Sequence, residues 1–277
     1  MNEPIVPKPV IPAVEVITVT PALAAEWLRH NTHNRNLRTR RVTDYARDMV
    51  AGRWHLNGEA IKFAGDHMNG GVVLDGQHRL RAVIEAGADV MMVVVSGLPM
   101  ETQETMDMGV KRTTADVLGL RGESNSPVLA AILRRVWLWD QADRKLARNQ
   151  VPTTAECAQL LKERPEIYRS VEIATRTYAT FRGIPKSICG TAHHLLSRID
   201  TDEAMWFFAR LGDGAELPVR HPVLTLRNRV MAERNERKNT PEHLHLAYII
   251  RAWNAVRAGR DLATIQQTPD APMPLPK

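Results

Sequence analysis

One stretch constrains this chain more than any other: Asp75-Gly76-Gln77-His78-Arg79-Leu80. A short β-type run, Val72-Val73-Leu74, stands before it, and a run of helical type, Leu80, Ala82, Val83, Ile84 and Ala86, follows. The chain must pass from strand to helix through a glycine, which lets backbone approach a ligand closely. The N–H groups of a first helical turn, a histidine and the rigid fork of an arginine suit a phosphate. A plain connection, with Asp75 capping the helix and Arg79 on the surface, needs the glycine but not Gln77, His78 and Arg79 together. The expectation is an anion site at Gly76, Gln77, His78 and Arg79, for a nucleotide phosphate or a nucleic-acid backbone.

The residues around this turn read as a compact α/β unit. Residues 1–13 form a proline-broken flexible arm, and Val14–Thr20 is β-branched and strand-like. Pro21 opens a helix with Leu23, Trp27 and Leu28 on one face. Val42, Tyr45, Ala46, Met49 and Val50 mark a second helix, ended by Gly52. Glu59–Ala64 and Val72–Leu74 are strands joined by a glycine-rich turn. Gly87 ends the helix after Asp75, and Val90–Ser96 is a continuous apolar run suited to the middle of a sheet. Three or four strands and two or three helices are expected over residues 14–97.

From Met100 the pattern becomes helix after helix: 101–107, 113–120, 127–148, 154–164, 166–181, 186–199, 201–211, 221–235 and 241–258. Thr153-Thr154 before Glu156, and Thr240 before Glu242, are expected helix caps. The fold class is α+β, an α/β domain over 14–122 followed by an all-α domain over 123–265. The proline-rich tail, 266–277, is expected to be disordered.

Composition sets the limits of function. No run approaches the roughly 18 apolar residues of a membrane span, and residues 1–12 lack the regions of a signal peptide, so a cytoplasmic protein off the membrane is expected. The two cysteines, Cys157 and Cys189, have no metal spacing and read as buried apolar residues. Thirty-seven basic against 31 acidic residues leave a net charge of +6, which favours an anionic partner. That excess is concentrated: Arg35, Arg38, Arg40, Arg41, Arg47 and Arg53 accompany only Asp44 and Asp48.

Further constellations accompany the turn. Asn34-Arg35-Asn36-Leu37-Arg38 enters a helix, and Arg35 and Arg38 are placed to converge on phosphates. Gly52-Arg53-Trp54-His55-Leu56-Asn57-Gly58 offers a tryptophan that is core or base platform, with Asn57 or Glu59 beside it. Lys111 and Arg112 precede a threonine-capped helix, as either a second phosphate contact or a basic linker with an N-cap. The helix from His221 to Asn235, with Arg220, Arg227, Arg229, Arg234 and Arg237, can make a basic face, to which Arg251, Arg257 and Arg260 add. His193-His194 point about 100° apart on a helix and suit no metal, and no metal site is expected.

This order of motifs resembles the ParB/sulfiredoxin superfamily, in its Asp-Gly-Gln-His-Arg variants common in phage and mobile-element proteins. The likeness spans residues 14–120, carried by Asp75–Leu80 and more loosely by Asn34–Arg41. It implies a nucleotide-phosphate-binding, DNA-associated protein. In ParB proteins the equivalent turn grips the triphosphate of CTP, and binding changes how the protein clamps DNA. In sulfiredoxin the turn holds ATP and a reacting cysteine; Gln77 stands in that place here, which excludes sulfinic-acid reduction. ParB turns carry Glu-Arg-Arg where this chain has Gln-His-Arg. The resemblance therefore implies a nucleoside triphosphate, CTP or ATP with Mg2+, as ligand and DNA as partner, and leaves a homodimer open. Relatives that include a free-serine kinase and nucleases keep a second reading: a phosphotransferase or nuclease on the same cradle, with Asp75 or His78 as catalytic group. A ParB-type helix-turn-helix is sought in the Thr153–Phe181 helix pair.

Overall fold

Eleven α-helices and a four-stranded sheet occur among the described residues of the computed structural model, which are 11–31, 37–106, 112–141, 151–268 and 271–277. The chain divides into two units, Met1–Lys111 and Arg112–Lys277. All four strands lie in the first unit, so the α+β expectation holds. The division falls earlier than residue 122 because Leu118, on a helix expected to close the α/β domain, is buried with Leu129, Ile132 and Leu133 of the next helix.

In the first unit the order is β1 (Ala13–Val19), α1 (Pro21–Arg29), α2 (Thr39–Val50), β2 (Ile61–Ala64), β3 (Val72–Asp75), α3 (Gln77–Ala86) and β4 (Val90–Leu98), then a short 3-10 helix, Met100–Thr105. The sheet order is β1-β4-β2-β3, with β4 antiparallel to β1 and parallel to β2, and β2 antiparallel to β3. Local chemistry explains the starts and stops. Thr20 caps α1 by accepting from the Leu23 N–H at 3.1 Å, with Pro21 where its missing N–H costs nothing. Gly87 ends α3 in the left-handed conformation.

One face of the sheet carries the core. Val19, Ile61, Phe63, Val73 and Val94 are buried with Trp27 and Leu28 of α1, Met49 of α2, and Leu80 and Val83 of α3. Trp27 meets Phe63 edge-on, with ring centroids 5.0 Å apart. β4 is interior to the sheet as its apolar run suggests, but only Val90, Met92, Val94 and Ser96 are buried. Met91 is exposed with Val14 and Val16, because α1, α2 and α3 cover the other face.

The second unit holds α4 (Thr114–Leu120), α5 (Ser126–Asp140), α6 (Thr154–Glu163), α7 (Ile167–Thr180), α8 (Lys186–Ser197), α9 (Thr201–Asp213), α10 (Pro222–Asn235) and α11 (Glu242–Arg257). Its core is built on Trp253 and Tyr248 of α11 with Phe207 and Phe208 of α9. Thr153 and Glu156 form the expected reciprocal cap of α6. Thr240 does not cap α11: its hydroxyl donates to buried Glu233 at 2.8 Å, and Pro241 takes the cap position. Nor is the tail disordered over 271–277, where Trp253 and Asn254 hold its backbone to α11.

Candidate functional site

The turn between β3 and α3 is built around Gly76. Its φ is +106°, and a Cβ there would lie 2.5 Å from Ile61 Cδ1, so both conformation and space call for glycine. The Asp75 carboxylate then folds back: Oδ1 accepts from the Gly76 N–H at 2.7 Å, while Oδ2 meets Arg79 at 3.1 Å and Lys62 at 3.5 Å.

Arg79 is placed differently from the sequence expectation. Its side chain is only 9% exposed, and its guanidinium donates to the carbonyls of Glu59 and Ala60 as well as to Asp75. Those carbonyls lie just ahead of β2, which begins at Ile61 rather than Glu59. A fork with five donors is the one side chain able to tie two successive carbonyls and a carboxylate. Arg79 is therefore a positioning residue that fastens the β2 entrance to the turn, rather than an outward phosphate ligand.

His78 and Gln77 reach across to other elements. His78 Nε2 accepts from the Arg38 backbone N–H at 3.0 Å, and Gln77 Oε1 accepts from Asn31 Nδ2 at 3.2 Å. A ring nitrogen that accepts carries no proton, so neutral His78 has its proton on Nδ1. Arg38 is the N-cap residue of α2 and His78 lies in the first turn of α3, so this bond brings two helix starts together. Neither cap residue supplies a side-chain cap and neither first turn holds an acid, while the Asp75 carboxylate just ahead of α3 takes the Gly76 N–H. Each start is the positive end of a helix dipole, and exposed Arg38 and Arg40 add full charges at the α2 start. Such a place is electrostatically complementary to an anion.

The structure thus joins the Arg38 segment to the Asp75–Arg79 turn. Arg35 and Lys111 lie outside the described residues. Arg112 is exposed in the second unit, ahead of the Thr113–Asp116 capping box of α4. Trp54 packs edge-on against Tyr45 at 5.3 Å, Arg53 pairs with Asp48 at 3.0 Å, and Asn57 accepts from the Glu59 N–H at 3.1 Å, so this loop is internally braced. The arginines of α10 do not make one open face: Arg227 donates to the Leu211 and Gly212 carbonyls, and Arg229 pairs with Glu233 at 2.7 Å.

Sequence reasoning missed Asn31, Lys62 and Gln103, whose amide donates to the Leu74 carbonyl at 3.2 Å under the turn. These are isolated polar residues without a motif, and only the fold brings them to the site. Asp75 and His78, the candidate acid–base groups, are both hydrogen-bonded within the protein. Among the described residues no three His, Cys, Asp or Glu side chains gather as a metal site, and no helix is long and apolar enough to cross a membrane. No protein-family model, curated protein or solved structure matches the chain.

Proposed function

We propose that the first unit is a nucleotide-phosphate-binding module of ParB-like type in a DNA-associated protein. The observation that carries this reading is the 3.0 Å bond from the Arg38 N–H to His78, which sets side by side two helix starts whose cap residues make no side-chain cap bond. Phosphate oxygens would lie against those starts, with the Arg38 side chain closing over them and Arg79 holding the cradle's shape. CTP or ATP is the proposed ligand. Mg2+ would arrive held by the nucleotide's own phosphates, since Asp75 is engaged by Arg79 and Lys62.

DNA association is proposed for the second unit. The α6–α7 pair sought as a helix-turn-helix is joined by only Arg164-Pro165-Glu166, and α7 exposes Tyr168, Arg169 and Arg176. Those arginines offer phosphate contacts.

Calorimetric titration with CTP and with ATP, each with Mg2+, tests the first part. Arg38→Ala removes an exposed side chain and should weaken binding about tenfold or more, the effect of losing one charge-assisted contact. Absence of binding by both nucleotides, or equal affinity in the variant, overturns the reading. DNA affinity should fall steeply with salt as counterions are released, and a flat response removes DNA.

A further inference from the structure

α11, in the second unit, is crossed by the last segment of the sequence. The segment Ala271-Pro272-Met273-Pro274-Leu275-Pro276-Lys277 alternates proline with other residues, so three of its seven positions have no backbone N–H to donate. Such a segment cannot join a sheet ladder, and is best held by side-chain donors aimed at its carbonyls.

The structure supplies them. Gln267 Nε2 donates to the carbonyls of Ala271 at 3.1 Å and Pro272 at 3.2 Å. Asn254 Nδ2 donates to the Leu275 carbonyl at 2.9 Å, and Trp253 Nε1 to the Lys277 carbonyl at 2.9 Å. Asn254 Oδ1 accepts from the Lys277 N–H, also at 2.9 Å, so one amide reads both polarities of the backbone. Arg251 Nε donates to Gln267 Oε1 at 2.8 Å, which leaves the Gln267 amide NH2 directed at the segment.

Side-chain identity counts for less. Met273 packs against the core beside α11, whereas Leu275 is more than half exposed. Pro274 borders an open cavity of about 520 Å³ that also touches Arg251, Asn254 and Arg260.

We infer that this face of α11 is a receptor site for a proline-rich extended peptide, presently filled by the chain's own segment 271–277. The side chains that bind the segment's backbone all come from outside it, so a separate peptide of the same kind satisfies the same groups. The resident segment competes from a short tether, at an effective concentration on the order of millimolar. It therefore acts as a displaceable strap over the site.

The test uses a fluorescent peptide with the sequence of residues 271–277. It should bind a full chain in which 271–277 is replaced by glycine and serine. Binding to the intact chain should be about tenfold weaker or more because the strap competes. Asn254→Ala in the replaced chain should cost a further tenfold or so, as one residue's paired hydrogen bonds are lost. No binding to the replaced chain while its circular dichroism is native overturns the inference, as does equal binding to both chains. If the replaced chain does not fold, hydrogen exchange on the intact chain decides. Asn254→Asp removes the donor to Leu275, and exchange at the Trp253 indole and Lys277 amide should quicken about tenfold. Unchanged exchange overturns the proposal.

Discussion

The Arg38 backbone N–H donates to His78 Nε2 at 3.0 Å, joining residues 40 apart in sequence at the starts of two helices. This bond fixes the imidazole as the Nδ1-protonated tautomer. Long-range nitrogen–proton NMR correlations should show a bare Nε2 on His78. His78→Ala should cost about 1 kcal/mol of stability, a typical single hydrogen bond. A protonated Nε2, or a denaturation midpoint unmoved by the substitution, would contradict the bond.

Arg79 should matter for folding before it matters for ligand. Arg79→Lys keeps the charge but cannot reach the Glu59 and Ala60 carbonyls and Asp75 together. A loss of about 3 kcal/mol is expected in urea denaturation, because the change leaves Asp75 and the two carbonyls poorly matched. A loss under about 0.5 kcal/mol, the ordinary range for surface substitutions, would mean the fork is not holding β2 to the turn.

Gly76→Ala meets two obstacles at once. The backbone sits at φ +106°, and the new methyl would lie 2.5 Å from Ile61 Cδ1. About 2 kcal/mol or more should be lost from strain and overpacking combined. Thermal unfolding of the variant measures this; a native melting temperature would show that the turn has another accessible shape.

Stability should also depend on pH through α8. Burial pushes His193 and His194 down to about 4, aided at His193 by Arg169 and opposed at His194 by Glu166. Unfolded histidine titrates near about 6.5. Between these values the unfolded chain binds protons that the folded chain refuses, so stability is full above about pH 6.5 and falls as pH drops toward 4. The slope is about 1.4 kcal/mol per pH unit for each histidine at most. His193 Nδ1 lies 2.9 Å from the Ser170 hydroxyl, whereas neither ring nitrogen of His194 has a hydrogen-bond partner among the described residues. His194→Leu should therefore flatten the profile without destabilising the protein at pH 7. Denaturation midpoints across pH 4–7 for both chains would reveal a profile left unchanged.

The sequence by itself determined most of the elements. Apolar periodicity and the Gly76 and Gly87 turns placed strands and helices, because these are local steric and burial rules that a few neighbouring residues satisfy. It also marked Asp75–Arg79 and Arg38 as special. Only tertiary structure decided what those side chains touch: Arg79 turns inward because the unpaired carbonyls ahead of β2 arrive beside it, 19 and 20 residues away in sequence. The same holds for segment 271–277, whose proline content reads locally as disorder, while its donors come from α11 and the loop after it. Hydrogen bonds between distant residues depend on how elements pack, and no local pattern encodes that distance.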